Sequence, residues 1–586
     1  MRQWMVAAKK ADFYVIAEKF HVDPVVARII RNREVIGEKN IRIYLGGNLS
    51  DLSDPHQMKD MDRLVEILAQ KIRKQVHIRI IGDYDVDGVT SSHLFLTALR
   101  RVGAKVDVII PHRIQDGYGL SLHLLQQAKE DGVDTILTCD NGIAAIDEIA
   151  WAKAQKMTVL VTDHHAVPFE EHEGRRTEKK SLADAVVNPH QQDCGYPYKE
   201  LCGAGVAWNV IRVLYENYDM DKREAEDLLD FVAMATVCDV MSLTGENRIL
   251  VKEGLKRIHH TKNIGLQALM QACNVQPENI SAYHFGYVLG PCVNATGRLD
   301  TARHALRLFE TGQETEAEEI ARDLVDLNQE RKELTLQGVE MAKKLCEEGG
   351  YEKDPVLVLF LPDVHESIAG LIAGRIREMY NRPVFVLTRG EEGVKGSGRS
   401  TENYSMYENM CGCAELFTKF GGHPMAAGLS LPEENVEKFR RKINENCPLT
   451  VEEVCPDIHI DMAMPVGYAS TELVHQFALL EPFGKDNPSP LFADRNLSIS
   501  RMWVIGKNRN VLRMSVLSEY GQPVPVIFFG DVETLFAYFT EKFGQEEVEN
   551  ALHGRKNRIL FSMVYTAKID FYQGNENLQL EMKYYR

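Results

Sequence analysis

Three short apolar runs in this chain each end in a cluster of acids or histidines. Ile78–Ile81 leads into Gly82-Asp83-Tyr84-Asp85-Val86-Asp87-Gly88, Thr138-Cys139 leads into Asp140-Asn141-Gly142, and Met157–Val161 leads into Thr162-Asp163-His164-His165. The strand candidates are 77–82, 105–110, 134–139 and 157–162, with helical patterns between them. Spacings of roughly 25 residues between these strands predict βαβ units and a parallel sheet. The carboxyl ends of such strands open into one crevice. Acids and imidazoles drawn from three strand ends are thereby gathered at one place, and crowded carboxylates repel one another unless a divalent cation lies among them.

Asp85 and Asp87, with Gly88 to let the backbone turn, have the right spacing to reach one point, although Asp-x-Asp-Gly alone reads equally well as a solvated turn. Asp140 alone is the same, since Asp-Asn-Gly is a common turn sequence. Adjacent histidines after a strand, preceded by Asp163, are much less ordinary. Hard carboxylate oxygens with imidazole and no thiolate suit Mn²⁺ or Mg²⁺. Two such ions would polarise a phosphoryl group and activate water, so no protein nucleophile is required. The chain offers no convincing Ser-His-Asp or Cys-His arrangement.

The length of 586 residues exceeds one core and predicts three or four domains. No apolar run approaches the roughly 18 residues that span a bilayer, and Met1–Met5 lacks the apolar core of a secretory signal. The 11 scattered cysteines read as free thiols of a cytoplasmic protein, and Cys411-Gly412-Cys413 has the wrong spacing for a zinc knuckle. A net charge of −17 argues against nonspecific coating of nucleic acid but leaves room for a narrow basic channel.

The expected organisation is a helical segment over 1–60, a parallel-sheet catalytic domain over 61–310 and a long helix within 311–350. A second, smaller α/β domain over 351–450 and a C-terminal barrel of short strands, resembling an OB-fold, over 451–586 complete it. Residues 222–240 read as helical and end at Asp239; 314–347 is the longest helical pattern. Gly297-Arg298, Gly396-Ser397-Gly398-Arg399 and Gly421-Gly422-His423 are candidate phosphate grips, each reading more readily as a loop than as a site. Gly203-Ala204-Gly205 lacks the full dinucleotide fingerprint. Arg113 and Tyr118 pair a phosphate ligand with a stacking ring, although a bland surface loop fits nearly as well.

Together these motifs resemble the DHH phosphoesterase superfamily, through Asp85-Val86-Asp87-Gly88, Asp140-Asn141-Gly142, Asp163-His164-His165 and Asp239. Within it the chain is similar to the RecJ-type single-stranded-DNA-specific exonucleases. That likeness rests on Gly82-Asp83-Tyr84-Asp85, Pro111-His112-Arg113, Asn188-Pro189-His190, Asn294-Ala295-Thr296-Gly297-Arg298, the run 421–428 and Glu481–Lys485. The resemblance implies a DHH domain, a DHHA1 domain and an OB-like barrel. It implies that Asp87, Asp140, His164 and Asp239 ligate one cation and that Asp85 joins Asp140 on a second. His165, held by Asp163, would contact the scissile phosphate. Arg298, Ser397, Arg399, Gly422 and His423 would hold the DNA backbone, while Arg113 and Tyr118 receive the 5′ end. The implied activity is 5′→3′ hydrolysis of single-stranded DNA to 5′-mononucleotides in repair and recombination, by a cytoplasmic monomer. A single-stranded-DNA-binding protein and a helicase are the implied partners.

Two positions depart from the pattern. Ile81 stands where small-substrate relatives carry a histidine, which leaves Asp83 or water to complete the second cation site. Glu366-Ser367-Ile368 stands where Glu-Gly-Val is expected. A hydrolase of short oligoribonucleotides or cyclic dinucleotides on the same scaffold, and a non-catalytic scaffold protein, are the competing readings.

Overall fold

The computed structural model describes residues 3–113, 116, 119–172, 175–351, 353–390, 393–506, 510–572 and 574–586. The chain forms two compact units, Asn48–Pro456 and Gln3–Gly47 with Asp457–Arg586.

In the larger unit, β1 (Ile78–Ile81), β2 (Val106–Ile109), β3 (Thr135–Cys139), β4 (Thr158–Thr162) and β5 (Ala185–Val187) are all parallel, in the order β2-β1-β3-β4-β5. β1 and β3 are buried along their whole length, as strands covered on both faces must be. The chain leaves β1 toward β2 on one side and later returns to β3 on the other. The loops after β1 and β3 therefore splay apart at this switch point and leave a crevice. β5 has only three residues, too short to stand out as a periodic run.

Helices cover the sheet. α1 (Val86–Arg101) follows β1 directly, and α2 (Gly203–Asn217) packs beside it. The helix expected over 222–240 is broken in two: Lys222–Glu226 and then α3 (Leu229–Cys238), with Asp239 at its C-terminal end. α4 (Gly290–Leu299) precedes α5 (Glu314–Glu348), whose 35 residues make a rod about 52 Å long.

Asp230 in α3 is buried and accepts hydrogen bonds from the Thr261 hydroxyl (2.6 Å) and the Phe231 amide (2.8 Å). Burial outweighs those bonds and pushes its carboxyl up to about 6. The folded chain then binds more protons here than the unfolded chain, so this group's contribution to stability falls as pH rises from its ordinary value of 3.8 to about 6. Melting curves of the parent and Asp230→Asn should diverge over that window. The parent should lose about 2–3 kcal/mol relative to the variant between its ends.

The second part of this unit is a five-stranded sheet in the order β9-β10-β8-β7-β6. Its strands are β6 (Leu357–Phe360), β7 (Val384–Gly390), β8 (Gly393–Arg399), β9 (Lys419–Gly422) and β10 (Ala426–Leu431), with α6 (Glu366–Tyr380) after β6. β6 and β7 are the apolar runs legible in the sequence. β8 and β9 correct the loop readings of the glycine-rich segments. A Cβ on Gly396 would lie 2.4 Å from a Leu387 methyl, and one on Gly398 would lie 2.3 Å from the Met406 sulfur. The glycines let neighbouring side chains cross the strands closely. Gly297 is likewise helical, inside α4, where a Cβ would meet the Tyr84 carbonyl at 2.3 Å.

In the smaller unit, β11 (Met462–Ala463) leads into β12 (Phe492–Ile505). β13 (Val511–Leu517), β14 (Pro523–Phe529), β15 (Leu560–Tyr572) and β16 (Asn575–Tyr585) then close a ring, because β12 pairs with both β13 and β15. A closed five-stranded ring is the barrel that the short-strand pattern predicts. The N-terminal helices, read from the sequence as a segment of their own over 1–60, share this unit's core up to residue 47. Val26, Ile29 and Ile30 lie in one apolar cluster with Leu473, Phe477 and Leu480. Arg33 reinforces the junction through a nearly buried ion pair with Asp461 (2.8 Å).

Candidate metal centre and nucleic-acid cleft

The loop after β1 is drawn tight by glycine. A Cβ on Gly88 would lie 2.5 Å from the backbone of Asp83, so the acid loop folds flat over the start of α1. Asp85 caps α1, accepting from the Gly88 amide at 3.0 Å. Asp87, in the first helical turn, is buried, and its carboxylate accepts the Gly203 and Ala204 amides at 2.6 and 2.8 Å. The N-terminus of α2 thus grips Asp87 with two backbone donors and the favourable end of its dipole. This is the role of Gly203-Ala204-Gly205, which sequence reasoning missed. The signal was its glycine content: a Cβ on Gly203 would sit 2.6 Å from that of Asp140.

Asp140 adopts a left-handed backbone (φ 60°) just past β3 and is buried. His164 Nε2 lies 3.0 Å from Asp140 Oδ1 and 3.6 Å from both Asp87 Oδ2 and Asp239 Oδ2. Asp163 is occupied otherwise. Its carboxylate accepts the amides of Ile143, His164 and His165 at 2.9, 2.7 and 3.0 Å and meets His165 Nδ1 at 2.8 Å. Asp163 therefore orients His165, which also has its carbonyl held by Asn188 Nδ2 (2.9 Å). Asn294 of α4 accepts the Val86 amide at 3.1 Å and fixes the start of α1 from the other side.

The titrations follow from crowding. Burial, with the charge of Asp85, raises Asp83 well above the usual carboxylate range. Burial, with the charge of Asp87, raises Asp85. Burial, with the charges of Asp87, Asp85 and Asp83, raises Asp140 well above its ordinary value. Burial lowers His164 and keeps its imidazole neutral, the form that ligates metal. Burial opposes charge on His165, but Asp163, Asp239 and Asp87 push it up to about 9. Burial also opposes charge on Asp163, yet the His165 hydrogen bond and the fields of both histidines hold it below its usual value.

Asp83, Asp85 and Asp140 each bring an oxygen within 4.8 Å of one another, and Asp87 and Asp239 bring oxygens equally close to each other and to a ring nitrogen of His164. Asp83 Oδ1 is buried with no hydrogen-bond partner among the described residues. Repelling carboxylates, an orphaned carboxylate oxygen and a neutral imidazole fit divalent cations of the Mn²⁺ or Mg²⁺ type. Asp83, and not Ile81, is grouped with Asp85 and Asp140.

Beside these groups opens a cleft of about 440 Å³, lined by Tyr84, Arg113, Glu366, Lys395, Ser397 and Lys419 among others. The Arg113 guanidinium lies over the Tyr84 ring at 4.8 Å. Arg298 donates to the Ser367 carbonyl at 2.7 Å. Burial, then the charges of Arg113, Arg331 and Arg399, push Arg298 down to about 10. Burial and Arg113 also lower Arg399. Of the expected DNA-binding residues, Arg113 and Ser397 line the cleft, and Arg298 and Arg399 lie within the electrostatic field of Arg113. Gly422 and His423 are exposed on the β9–β10 hairpin and do not line it. Tyr118 lies outside the described residues. Glu366 pairs with Lys395 at 2.8 Å across the cleft wall.

Family comparisons agree with this geometry. The DHH family N-terminal domain matches residues 77–236, the DHHA1 domain 353–447 and the RecJ OB domain 460–584. The larger unit is therefore a DHH-type phosphoesterase unit. The single-stranded-DNA-specific exonuclease RecJ of Haemophilus influenzae is 32% identical over 582 residues, 96% of this chain and 96% of that protein. The Escherichia coli protein of that name is 31% identical over 582 residues, 95% of each. Its Bacillus subtilis counterpart is 32% identical over 511 residues, 86% of this chain but 63% of its own length. The crystal structure of Thermus thermophilus RecJ with Mn²⁺ superposes with a TM-score of 0.81 at 25% identity, covering 100% of this chain and 79% of that one. The chain belongs to the RecJ exonuclease family. No helix among the described residues is long and apolar enough to cross a membrane.

Proposed function

We infer that this chain is a metal-dependent exonuclease that degrades single-stranded DNA from its 5′ end to 5′-mononucleotides. The observation that carries the reading is the meeting of two acid and imidazole groups beside a cleft lined by Arg113, Lys395 and Lys419.

Asp87, His164 and Asp239 would hold one cation, with Asp140 beside His164. Asp83, Asp85 and Asp140 would hold the other. When bound, the ions supply Lewis-acid polarisation of the phosphoryl oxygens and a water acidic enough to attack at neutral pH. The remaining work belongs to side chains. Asp163 fixes the His165 ring by its contact at Nδ1, so that Nε2 is the nitrogen that donates a hydrogen bond to a phosphoryl oxygen. Arg113 and Ser397 grip backbone phosphate, with Arg298 and Arg399 behind them. Gly422 and His423 meet the strand further out along the hairpin. The 5′ polarity is what the resemblance to the RecJ-type exonucleases implies.

The work of such an enzyme is repair and recombination in the cytoplasm, as a monomer. A helicase would supply the unpaired strand, and a single-stranded-DNA-binding protein would coat it. The test is to offer, with Mn²⁺, a 5′-labelled single strand, a 5′-tailed duplex, a blunt duplex and a cyclic dinucleotide. Labelled mononucleotide should leave the single strand and the tail, the blunt duplex should resist, and chelation should stop the release. A clear preference for the dinucleotide would overturn the reading.

A further inference from the structure

Tyr283 and Tyr287 are 62% and 71% exposed, and their rings stack on each other at 5.0 Å and 23°. Two large rings facing outward in a parallel pair contribute little to any core. The helical run that bears them, Ala282–His284 followed by a π-turn at Phe285–Leu289, continues directly into α4. Its less buried positions are 283, 284, 286–288, 291, 294, 298 and 299, with buried residues at 282, 285, 289, 290, 292, 293 and 295–297. Among the former, 283, 287, 291, 294 and 298 follow steps of four, four, three and four residues, which keep them on one face of a helix. The same face therefore carries the tyrosine pair, then Asn294, which holds the Val86 amide of the acid loop, then Arg298. The run from Tyr287 to Arg298 covers about 16 Å at the helical rise.

The π-turn also touches the end of α3 that presents Asp239. Cys238 Sγ donates to the Phe285 carbonyl at 3.3 Å, and Gly286 faces Val237. Val240, next after Asp239, is 62% exposed and holds a left-handed backbone (φ 55°). A β-branched residue rarely adopts that conformation, and it recurs where a site imposes the backbone path.

We propose that Tyr283 and Tyr287 form a stacking platform for unpaired nucleobases of the substrate strand, leading it along the α4 face past Asn294 to the Arg298 end of the cleft. The proposal rests on the single-stranded-DNA reading above. Unpaired bases fit because every base has a stacking face and only an unpaired strand exposes it. The continuity of the tyrosine face with the Asn294 and Arg298 contacts selects the strand over a protein partner or a second copy of the chain.

The experiment couples the rings to the bases. The full chain and its Tyr283→Ala/Tyr287→Ala variant are given single strands in which one abasic residue moves from the second to the tenth nucleotide, and binding is read by anisotropy in Ca²⁺. In the parent, an abasic residue within a short window should weaken binding about 10-fold, the range of one lost base stack. The alanine variant should bind the intact strand about 10-fold more weakly and should be insensitive to abasic position. Tyr283→Phe/Tyr287→Phe, which keeps the rings, should restore the window. Equal abasic sensitivity in parent and alanine variant would overturn the proposal. So would unchanged DNA binding accompanied by a change in sedimentation, which would make the pair a protein contact. Because binding is read without cleavage, failure of the hydrolytic reading would appear separately, as the absence of product with Mn²⁺.

Discussion

Asp140→Asn should lower the turnover of single-stranded DNA by about 10³-fold or more while the metal-free protein melts no lower than its parent. Asparagine is the informative replacement. The residue sits at φ 60°, and Asn is tolerated in that left-handed region, whereas Ala would add strain and blur the result. The Asp140 carboxylate borders both cation groups, with Asp83 and Asp85 on one side and His164 on the other. Stabilisation of transition-state charge by such ions amounts to several kcal/mol, and each 1.36 kcal/mol is tenfold in rate. Stability should move the other way. Burial and the charges of Asp87, Asp85 and Asp83 all act against ionised Asp140, so a neutral amide relieves the metal-free fold. The parent should gain melting temperature on adding Mn²⁺, because a ligand held only by the folded state stabilises it. The variant should gain little. A single titration series, with activity and melting read on the same samples, checks both signs. Lost activity with an undiminished Mn²⁺ response would place Asp140 outside the metal groups.

The parts of the site legible in the sequence were those where one residue type does one job at a strand end. Apolar runs followed by acids gave the parallel sheet and its crevice because side chains buried on both faces of a strand leave no alternation to confuse the reading. Asp239 was reached only through family resemblance, since nothing about an acid ending a helix sets it apart from an ordinary cap. The grip of Gly203 and Ala204 on Asp87 was invisible because it joins residues 116 and 117 positions apart through backbone amides, which carry no side-chain signature. Glycine misled the reading of β8 and β9. It marks a flexible loop and a strand equally well, and in β8 only the neighbours Leu387, Phe385 and Met406, which cross its glycines closely, decide between them. The N-terminal helices carried clear caps, such as Asp23 before Pro24, but no local pattern announces that they bury their apolar face against a barrel more than 400 residues later.

Arg298→Met should raise the KM for single-stranded DNA by about 10²-fold without lowering the melting temperature of the free protein. The argument is electrostatic. Arg298 is held among Arg113, Arg331 and Arg399, and burial together with those charges pushes its guanidinium down to about 10. It donates a hydrogen bond to a neutral carbonyl, that of Ser367. A desolvated cation facing other cations opposes folding, and methionine keeps much of the volume while removing the charge. The lost carbonyl contact, worth about 1 kcal/mol, is offset by relief of that repulsion. Binding has the opposite sign. A phosphate entering the cluster neutralises charges that the fold already holds desolvated, so a charge-assisted contact there is worth about 1.5–3 kcal/mol, or roughly 10- to 150-fold in affinity. Removing one such cation should also flatten the plot of log affinity against log salt by about one unit. Inorganic phosphate should stabilise the parent against heat and leave the variant unmoved. A variant that melts well below the parent, with its salt dependence unchanged, would make Arg298 a structural brace for Ser367 and not part of the phosphate grip.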